Sequence, residues 1–357
     1  MAIYKNPKKE YQGKIEDYPL ENYPDYEPGR APNTEVLQRF SYLDELERIW
    51  GKNWGAQGIG KLREVALIKP TEHEINPLWE RNRDFFLLRR ERIDLGGLQR
   101  TIDDYAELLT KEGVEVHWME APETMGAYGP MRKLFMGAFP LVVRGGAIIP
   151  RLGHASFIRG LEVNFFQFFA QIGCPVLLTV HGNGVCEVGP FVQIAEDAIL
   201  GYRSCACNDE GLAQVIPVLQ RAGYSEIPIA NCTTIYQDFR AGGEFHPDMF
   251  FGVVDLRVAL IYPGFLDYQV FQWLRDRDFK LIEVDSEEHF RDAPTNLVIL
   301  EPGRVIMPTQ AKRTIEKVRQ AGIEVIEFDA SGLQVGTNGA RCVTIILRRD
   351  PGPSLGS

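Results

Sequence analysis

Apolar and polar positions along the chain repeat as a unit of three parts: an apolar hairpin, an amphipathic helix and a short strand. The strand follows a glycine or a polar residue. The unit returns at a period of roughly 50 residues, a length typical of propellers and stacked repeats. The strands that close the units lie at residues 113–116, 173–178, 224–229, 279–284 and 322–327. This pattern predicts an α/β fold of five blades in a ring, with an axial pore where loops from several blades meet.

The hairpins and helices of the repeat can be placed from local signals. Paired apolar runs joined by Gly, Asp or Pro turns predict hairpins at residues 141–149, 191–200, 250–261 and 297–307. Apolar residues three or four apart predict helices at 98–112, 157–172, 209–222, 267–278 and 310–321. A last apolar strand, at 343–347, has no helix after it. We expect it to pair with the strand at 64–68 and complete the first blade, leaving no free blade edge.

The chain divides into three parts by composition. Residues 1–60 are rich in Pro and Tyr, which predicts an extended N-terminal arm followed by a short helix at 36–49. This arm has too many aromatic residues for a solvated tail, so we expect it to lie on the body or on a neighbouring subunit of a homo-oligomer. Residues 61–350 form the single five-bladed domain in this interpretation, and residues 351–357 form a tail.

The net charge and the cysteine content of the chain exclude several classes of partner. The net charge of −10 disfavours nucleic acid and anionic membranes as partners, because both require clustered positive charge. No apolar run approaches the ~18 residues of a membrane span, and the first residues lack the apolar core of a secretory signal. The six cysteines have no disulfide-framework spacing. We therefore expect a cytoplasmic protein that acts on a small molecule.

Three of the cysteines are candidates for metal binding or for nucleophilic catalysis. Cys205 and Cys207 would suit a metal if a second ligand pair followed, but none follows at zinc-site spacing, so we expect no metal there. Cys342 lies where a glycine-containing loop enters the last strand. A thiol in that place is either a small buried hydrophobe or a nucleophile activated by a neighbour, and the residues alone leave both open.

Two other loops carry acid–base candidates. Histidine side chains as a class change protonation near neutral pH, so His246 is the natural candidate for a general acid or base. Asp248 follows two residues later and would share a strand face with His246 if the segment is extended. Glu187 lies in the corresponding loop of the preceding blade, within or beside the pore. The alternatives are a solvated histidine, a turn-capping aspartate and an exposed loop glutamate.

Three segments in order along this repeat resemble the guanidino-group-modifying enzymes, which have the pentein fold. They are Glu187, His246-Pro247-Asp248 and Gly339-Ala340-Arg341-Cys342-Val343-Thr344. The superfamily includes arginine and agmatine deiminases, dimethylarginine hydrolases and amidinotransferases, and the resemblance is strongest to the amidinotransferase-like branch, over roughly residues 61–350. It implies a five-bladed α/β-propeller, Cys342 as nucleophile, His246 as acid and base, Glu187 and Asp248 as substrate-binding residues, and no cofactor.

The chain departs from the family pattern in three places. Family members that bind a cationic guanidinium usually carry an Arg-Asp pair ahead of the second blade, but residues 136–140 contain no acid. The family's Glu-Gly-Gly-Asp loop reads Glu187-Val188-Gly189-Pro190, and its Ser-x-Arg-Thr-Asn element reads Ser204-Cys205-Ala206-Cys207-Asn208. A buried guanidinium requires nearby acids. The losses therefore favour a small, weakly basic guanidine such as nitroguanidine over an amino acid.

The resemblance implies a hydrolase that cleaves a C–N bond of such a guanidine through a covalent thiouronium intermediate and releases ammonia or an amine. An amidinotransferase, which passes the amidino group to an amine acceptor, shares the first half of that reaction and stays open. A pore-bearing binding protein without activity is the alternative from another class, because acids are missing.

Overall fold

A computed structural model describes most of the chain. The described residues are 12–23, 26–33, 35, 39–71, 77, 80–81, 93–120, 137–153, 158–232, 245–335 and 339–356. Part of the predicted N-terminal arm lies outside them, as does residue 136 of the stretch that lacks an acid. Among the described residues, no helix combines the length and the apolar character that crossing a membrane requires.

Seven helices have both ends within the described residues; six of them were predicted and one is an addition. They are α1 (Tyr42–Trp50), α2 (Leu95–Lys111), α3 (Glu162–Gln171), α4 (Asp209–Ala222), α5 (Tyr268–Arg275), α6 (Ser286–Asp292) and α7 (Lys312–Gln320). Side-chain caps start several of them: Asn208 accepts a hydrogen bond from the Gly211 amide at the start of α4. The addition, α6, is a short helix begun by a cap from Asp285.

In the part of the chain that the structure describes, the strands form five sheets of three strands each. They are β1 (Leu62–Ile68), β2 (Glu115–Met119), β3 (Leu141–Val143), β4 (Gly146–Ile149), β5 (Val176–Thr179), β6 (Val192–Ala195), β7 (Ala198–Arg203), β8 (Ile229–Asn231), β9 (Phe251–Asp255), β10 (Val258–Ile261), β11 (Lys280–Glu283), β12 (Val298–Glu301), β13 (Arg304–Pro308), β14 (Glu324–Phe328) and β15 (Ile345–Arg349). In every sheet the middle strand pairs antiparallel on one side and parallel on the other. This is the arrangement that a hairpin–helix–strand repeat requires.

The last strand joins the two ends of the chain. β15 pairs antiparallel with β1, and Val65 lies opposite Ile346. The strand begins at Ile345, two residues later than predicted, because Arg341–Val343 form a 3-10 turn. Contacts link successive sheets: β15 with β3, β6 with β9, β9 with β12 and β12 with β1, while α4 contacts β5. The loops at the strand ends are therefore brought toward one another.

Candidate active site

The segment that carries His246 and Asp248 differs from the extended strand that was expected. His246 has extended backbone angles, but Pro247–Met249 form a 3-10 turn that begins with the proline. The expectation that His246 and Asp248 share a strand face is therefore wrong. The turn directs Asp248 into the interior, where the residue is only 4% exposed, while the His246 side chain keeps 13% of its surface exposed.

Glu187 and His246, which precede β6 and β9, form a hydrogen-bonded pair. The Oε2 atom of Glu187 lies 2.9 Å from Nε2 of His246, and its Oε1 atom accepts a hydrogen bond of 2.9 Å from the Gly153 amide. The Glu187 side chain is completely buried. Tyr202 donates to the Glu187 carbonyl and packs edge-on against the His246 ring. Both the position and the orientation of the imidazole are therefore fixed.

Cys342 lies in the middle of the 3-10 turn before β15. Thr344, which is fully buried, donates from Oγ1 to the Ala340 carbonyl and so closes the turn from its far end. The Cys342 carbonyl accepts from the Ala138 amide, and the Cys342 amide donates to Oδ1 of Asn296 at 3.0 Å. The residue is partly exposed. The backbone around the thiol is thus held by three separate segments of the chain.

Asn296 joins Cys342 to Asp248. Its Nδ2 atom lies 3.1 Å from the Cys342 sulfur and 3.3 Å from Oδ2 of Asp248. The same nitrogen lies 3.4 Å from the sulfur of Met249, which is itself 4.0 Å from the Cys342 sulfur. Asn296 is fully buried. The structure therefore brings the predicted nucleophile and the predicted Asp248 together around one amide group.

Sequence reasoning missed Asn296. An asparagine ahead of a buried strand is usually a turn or capping residue, and nothing in its neighbourhood indicates catalysis. One signal was available: Asn296 leads into the β12–β13 hairpin, just as the Glu187 and His246 loops lead into the β6–β7 and β9–β10 hairpins. Gly339 supports the same contact, because a Cβ atom there would lie only 2.8 Å from Oδ1 of Asn296.

Asp248 has an unusual electrostatic environment. Burial raises its pKa, and the neighbouring His246 and Arg341 together with the hydrogen bond from Asn296 only partly oppose that effect. Its Oδ1 atom is buried and has no hydrogen-bond partner in the described part of the chain. A buried carboxylate with an unused acceptor is costly for folding, and such groups cluster at functional sites.

The backbone of residues 137–139 ties the Cys342 loop to the Glu187 loop. The Ala138 amide donates to the Cys342 carbonyl, and the Phe139 carbonyl accepts from the Gly189 amide. Arg341 also reaches across, donating to the Gly189 carbonyl. Residues 137–139, part of the stretch identified in the sequence as lacking an acid, therefore lie between the two loops.

The described residues contain one cluster with metal-ligand atoms, and it lies away from these loops. Glu64, Glu115 and His117 place their ligand atoms within 4.8 Å of one another. Burial alone would raise the pKa of Glu64, but hydrogen bonds from His117, Lys52 and Arg348 outweigh it and lower that pKa to about 2. The Glu64 carboxylate is thus already neutralised by cations. We interpret the cluster as an ion-pair network of the first sheet.

The geometry combines three chemical abilities. A partly exposed thiol lies against an amide donor, which can stabilise a thiolate. An imidazole paired with a buried carboxylate can accept and return a proton. A buried carboxylate can accept hydrogen bonds from N–H groups of a ligand. Together these groups suit nucleophilic attack on a planar carbon that bears nitrogen atoms.

Comparison with known proteins points to one superfamily. The family model for arginine deiminase matches residues 264–349, which include Cys342 and Asn296. A 2-nitroimidazole nitrohydrolase of Mycobacterium sp. (strain JS330) is 28% identical over 95% of this chain and 94% of its own. A solved dimethylarginine dimethylaminohydrolase from Pseudomonas aeruginosa superimposes with a TM-score of 0.62 at 21% identity, over 80% of this chain and 99% of that one. An amidinotransferase from Microseira wollei superimposes with a TM-score of 0.62 at 14% identity, over 84% and 98%.

This chain is similar to the guanidino-group-modifying enzymes. The curated relatives include hydrolases, so the general reaction of that superfamily at a guanidino-type carbon is supported. The departures from the family pattern can now be placed in the structure. Ala206, where the family usually has an arginine, is fully buried, and its carbonyl accepts from the Glu187 amide. The substitution therefore lies directly beside the candidate site.

Proposed function

We propose that this protein is a cysteine-dependent hydrolase that cleaves a C–N bond of a small, weakly basic guanidine such as nitroguanidine. Its five sheets are then the blades of a closed α/β-propeller, and the site is at one end of the axis. The observation that supports the proposal best is the contact of the Asn296 amide with both the Cys342 sulfur and the Asp248 carboxylate. This contact gives one place for a nucleophile and for an acceptor of substrate N–H groups.

The proposed reaction has two halves. The Cys342 thiolate adds to the central carbon of the guanidine, and one C–N bond then breaks with its electron pair going to nitrogen. His246 gives a proton to that nitrogen, so ammonia or an amine leaves and a thiouronium-type adduct remains on sulfur. His246 then takes a proton from water, which attacks the same carbon and releases the thiolate.

The acids have different tasks in this proposal. Asp248 accepts hydrogen bonds from the substrate's N–H groups through its unused Oδ1 atom. Glu187 was predicted to bind substrate, and that stays a prediction. Its contact with His246 gives it a second task, which is to favour the protonated imidazole once the thiolate attacks.

Weak basicity of the substrate is supported by the chemistry of the site. The acid-free segment 137–139 and the substitution at Ala206 remove charges that would neutralise a guanidinium and hold a carboxylate. A neutral guanidine needs no such compensation. The relative named for 2-nitroimidazole fits the same description, because that compound has a carbon bonded to two ring nitrogens and a nitro group. With this activity, the protein would be close to a bacterial nitroguanidine hydrolase.

A substrate panel tests this proposal. Nitroguanidine, 2-nitroimidazole, methylguanidine, agmatine and arginine would be compared by kcat/KM for product release, with and without an added amine. We expect nitroguanidine to lead and the amine to have no effect. Arginine as the best substrate would contradict the charge argument. Turnover that depends on the amine would identify the enzyme as an amidinotransferase.

A further inference from the structure

A small cavity borders the candidate site at Asp248. It has a volume of about 40 Å³, and its walls come from β6, β9, β12 and β15. Most of the lining is apolar, but Asp248, Arg341, Gln193 and Arg349 also contribute. The proposed reaction uses only Asp248. The charge and the hydrogen-bonding needs of the other three residues therefore require a separate explanation.

Arg349 is a buried cation that forms no ion pair with an acid of the described residues. The residue is 6% exposed, and its Nη1 and Nη2 atoms each donate at 2.8 Å to a backbone carbonyl, of Gly60 and of Ile299. Its Nε atom has no hydrogen-bond partner in the described part of the chain. Burial, with Arg341 nearby, lowers its pKa to about 9, so it is still charged at neutral pH. A buried charge of this kind is costly unless a counter-charge accompanies it.

Gln193 supplies a second unused donor to the same cavity. Its Oε1 atom accepts hydrogen bonds from the Gly58 amide, at 3.1 Å, and from the Tyr224 hydroxyl, at 2.7 Å. These two donors fix which end of the amide is oxygen. The Nε2 group is buried and has no partner among the described residues. The side chains of Arg349 and Gln193, each with one unsatisfied N–H group, therefore both line one small space.

The carboxylate in the cavity does not neutralise Arg349. Asp248 interacts electrostatically with Arg341 and His246. Arg349 has Arg341 and Tyr224 as its electrostatic neighbours, and Asp248 is not among them. If Asp248 is the counter-charge of Arg341, the positive charge of Arg349 remains without a counter-charge. The two N–H donors, of Arg349 and Gln193, also remain without an acceptor. An anion would satisfy all three, whereas water would satisfy only the donors.

We propose that this cavity binds one small monovalent anion of the size of chloride, held by Arg349 and by Nε2 of Gln193. The volume fits, because one water needs roughly 10–15 Å³ and the cavity is several times larger. The bound anion neutralises the interior cation and contributes to fold stability next to Asp248. This inference concerns a different ligand from the proposed substrate, and it can be tested independently of the proposed function.

Bromide gives the direct test in the whole protein. Crystals of the wild-type protein would be soaked in sodium bromide, and anomalous scattering would be measured at the bromine edge. We expect an anomalous peak within contact distance of Arg349 Nε and Gln193 Nε2. Water density without an anomalous signal at that position would overturn the proposal.

Thermal stability tests the same site in solution. The Tm would be followed against sodium chloride, with sodium gluconate making up constant ionic strength, because gluconate is too large for the cavity. We expect a saturable rise of about 2 °C at a tenfold excess of chloride over its Kd. Equal Tm values in the two salts would contradict specific binding.

A variant that carries its own anion separates this site from general salt effects. Gln193→Glu places a carboxylate beside Arg349, so we expect a higher Tm in gluconate and no further response to chloride. The matched control is Gln269→Glu, which adds the same charge at an exposed position of α5 and should keep the chloride response. A full chloride response in Gln193→Glu would count against the site. If that variant fails to fold, the bromide experiment on the wild type still decides.

Discussion

At the scale of single residues, the candidate site combines groups that sequence indicates with one that it does not. Cys342, His246, Asp248 and Glu187 could be selected because few residue types act as nucleophiles, bases or carboxylates. Asn296 could not be, because an amide has no reactivity that sequence reveals. Its role exists only through contacts with Cys342, 46 positions away, and with Asp248, 48 positions away.

Asn296→Asp tests the role of this amide with almost no change of shape. The new carboxylate would repel a thiolate on Cys342 instead of donating to it. We expect kcat to fall about 100-fold, and the alkylation of Cys342 by iodoacetamide to require a higher pH. Asn53→Asp, which adds a charge beside Glu47 on the surface, is the control and should change neither. Unchanged pH dependence of alkylation in Asn296→Asp would show that the amide does not tune the thiol.

Asp248→Asn separates stability from activity. Burial raises the pKa of Asp248 in the folded protein, so the folded state holds this proton more tightly than the unfolded state. The contribution of Asp248 to stability therefore declines as pH rises from the ordinary aspartate range through the raised pKa. We expect Asp248→Asn to be more stable than wild type by about 1 kcal/mol at pH 7, with activity lost.

The sign of this effect can be checked by denaturant titration. The stability difference between Asp248→Asn and wild type should shrink as pH falls to 4. A wild type that is more stable than the variant at pH 7 would mean that the carboxylate contributes to folding, contrary to this account. Loss of activity alone would leave the binding role of Asp248 in place but would not support the electrostatic argument.

At the scale of elements, short turns decide the site more than the regular strands do. The predicted helices agree with the observed ones to within a few residues, because their apolar periodicity is clear, except that the helices predicted at 36–49 and 157–172 begin later, at Tyr42 and Glu162. The His246 segment was misread because a proline four residues before a strand, as Pro247 is before β9, is compatible with either an extended segment or a 3-10 turn. Local sequence did not distinguish the two, and Asp248 is buried in the turn that forms.

Gly189→Ala tests the connection between the Cys342 and Glu187 loops. A Cβ atom at Gly189 would lie 1.6 Å from the Ala138 carbonyl oxygen, so the backbone of residues 137–139 must shift. That segment donates to the Cys342 carbonyl. We expect a loss of about 2 kcal/mol in stability and at least a tenfold loss in kcat.

Gly96→Ala is the matched control for that substitution. Gly96 lies in the first turn of α2, and the nearest atom to an added Cβ is the flexible end of Arg100, at 3.3 Å. Alanine favours the helix, so we expect unchanged kcat and equal or slightly higher stability. A Gly189→Ala enzyme with wild-type kcat would show that the two loops do not need this link.

At the scale of the whole molecule, the repeat explains why distant segments meet. Five sheets with the same strand order each present a loop at the equivalent strand end, and β15 returns the chain to β1. The repeat could be read from sequence because each unit has its own hydrophobic pattern. The contacts between units could not, because they depend on buried polar groups such as Asn296 and Thr344. The domain limits, the homo-oligomer and the role of the N-terminal arm stay predictions.

The most direct test of the account is to look for a covalent intermediate on Cys342. The full-length enzyme would be mixed with the best guanidine substrate, quenched with acid during turnover, digested and analysed by mass spectrometry. We expect an amidino-type adduct on the peptide that contains Cys342. In Cys342→Ala the adduct should be absent and kcat should fall at least a thousandfold. Cys205→Ala, which removes an exposed thiol, should still form the adduct and should have the wild-type kcat. Turnover by Cys342→Ala at the wild-type rate, with no adduct on the wild-type Cys342 peptide, would contradict the proposed mechanism.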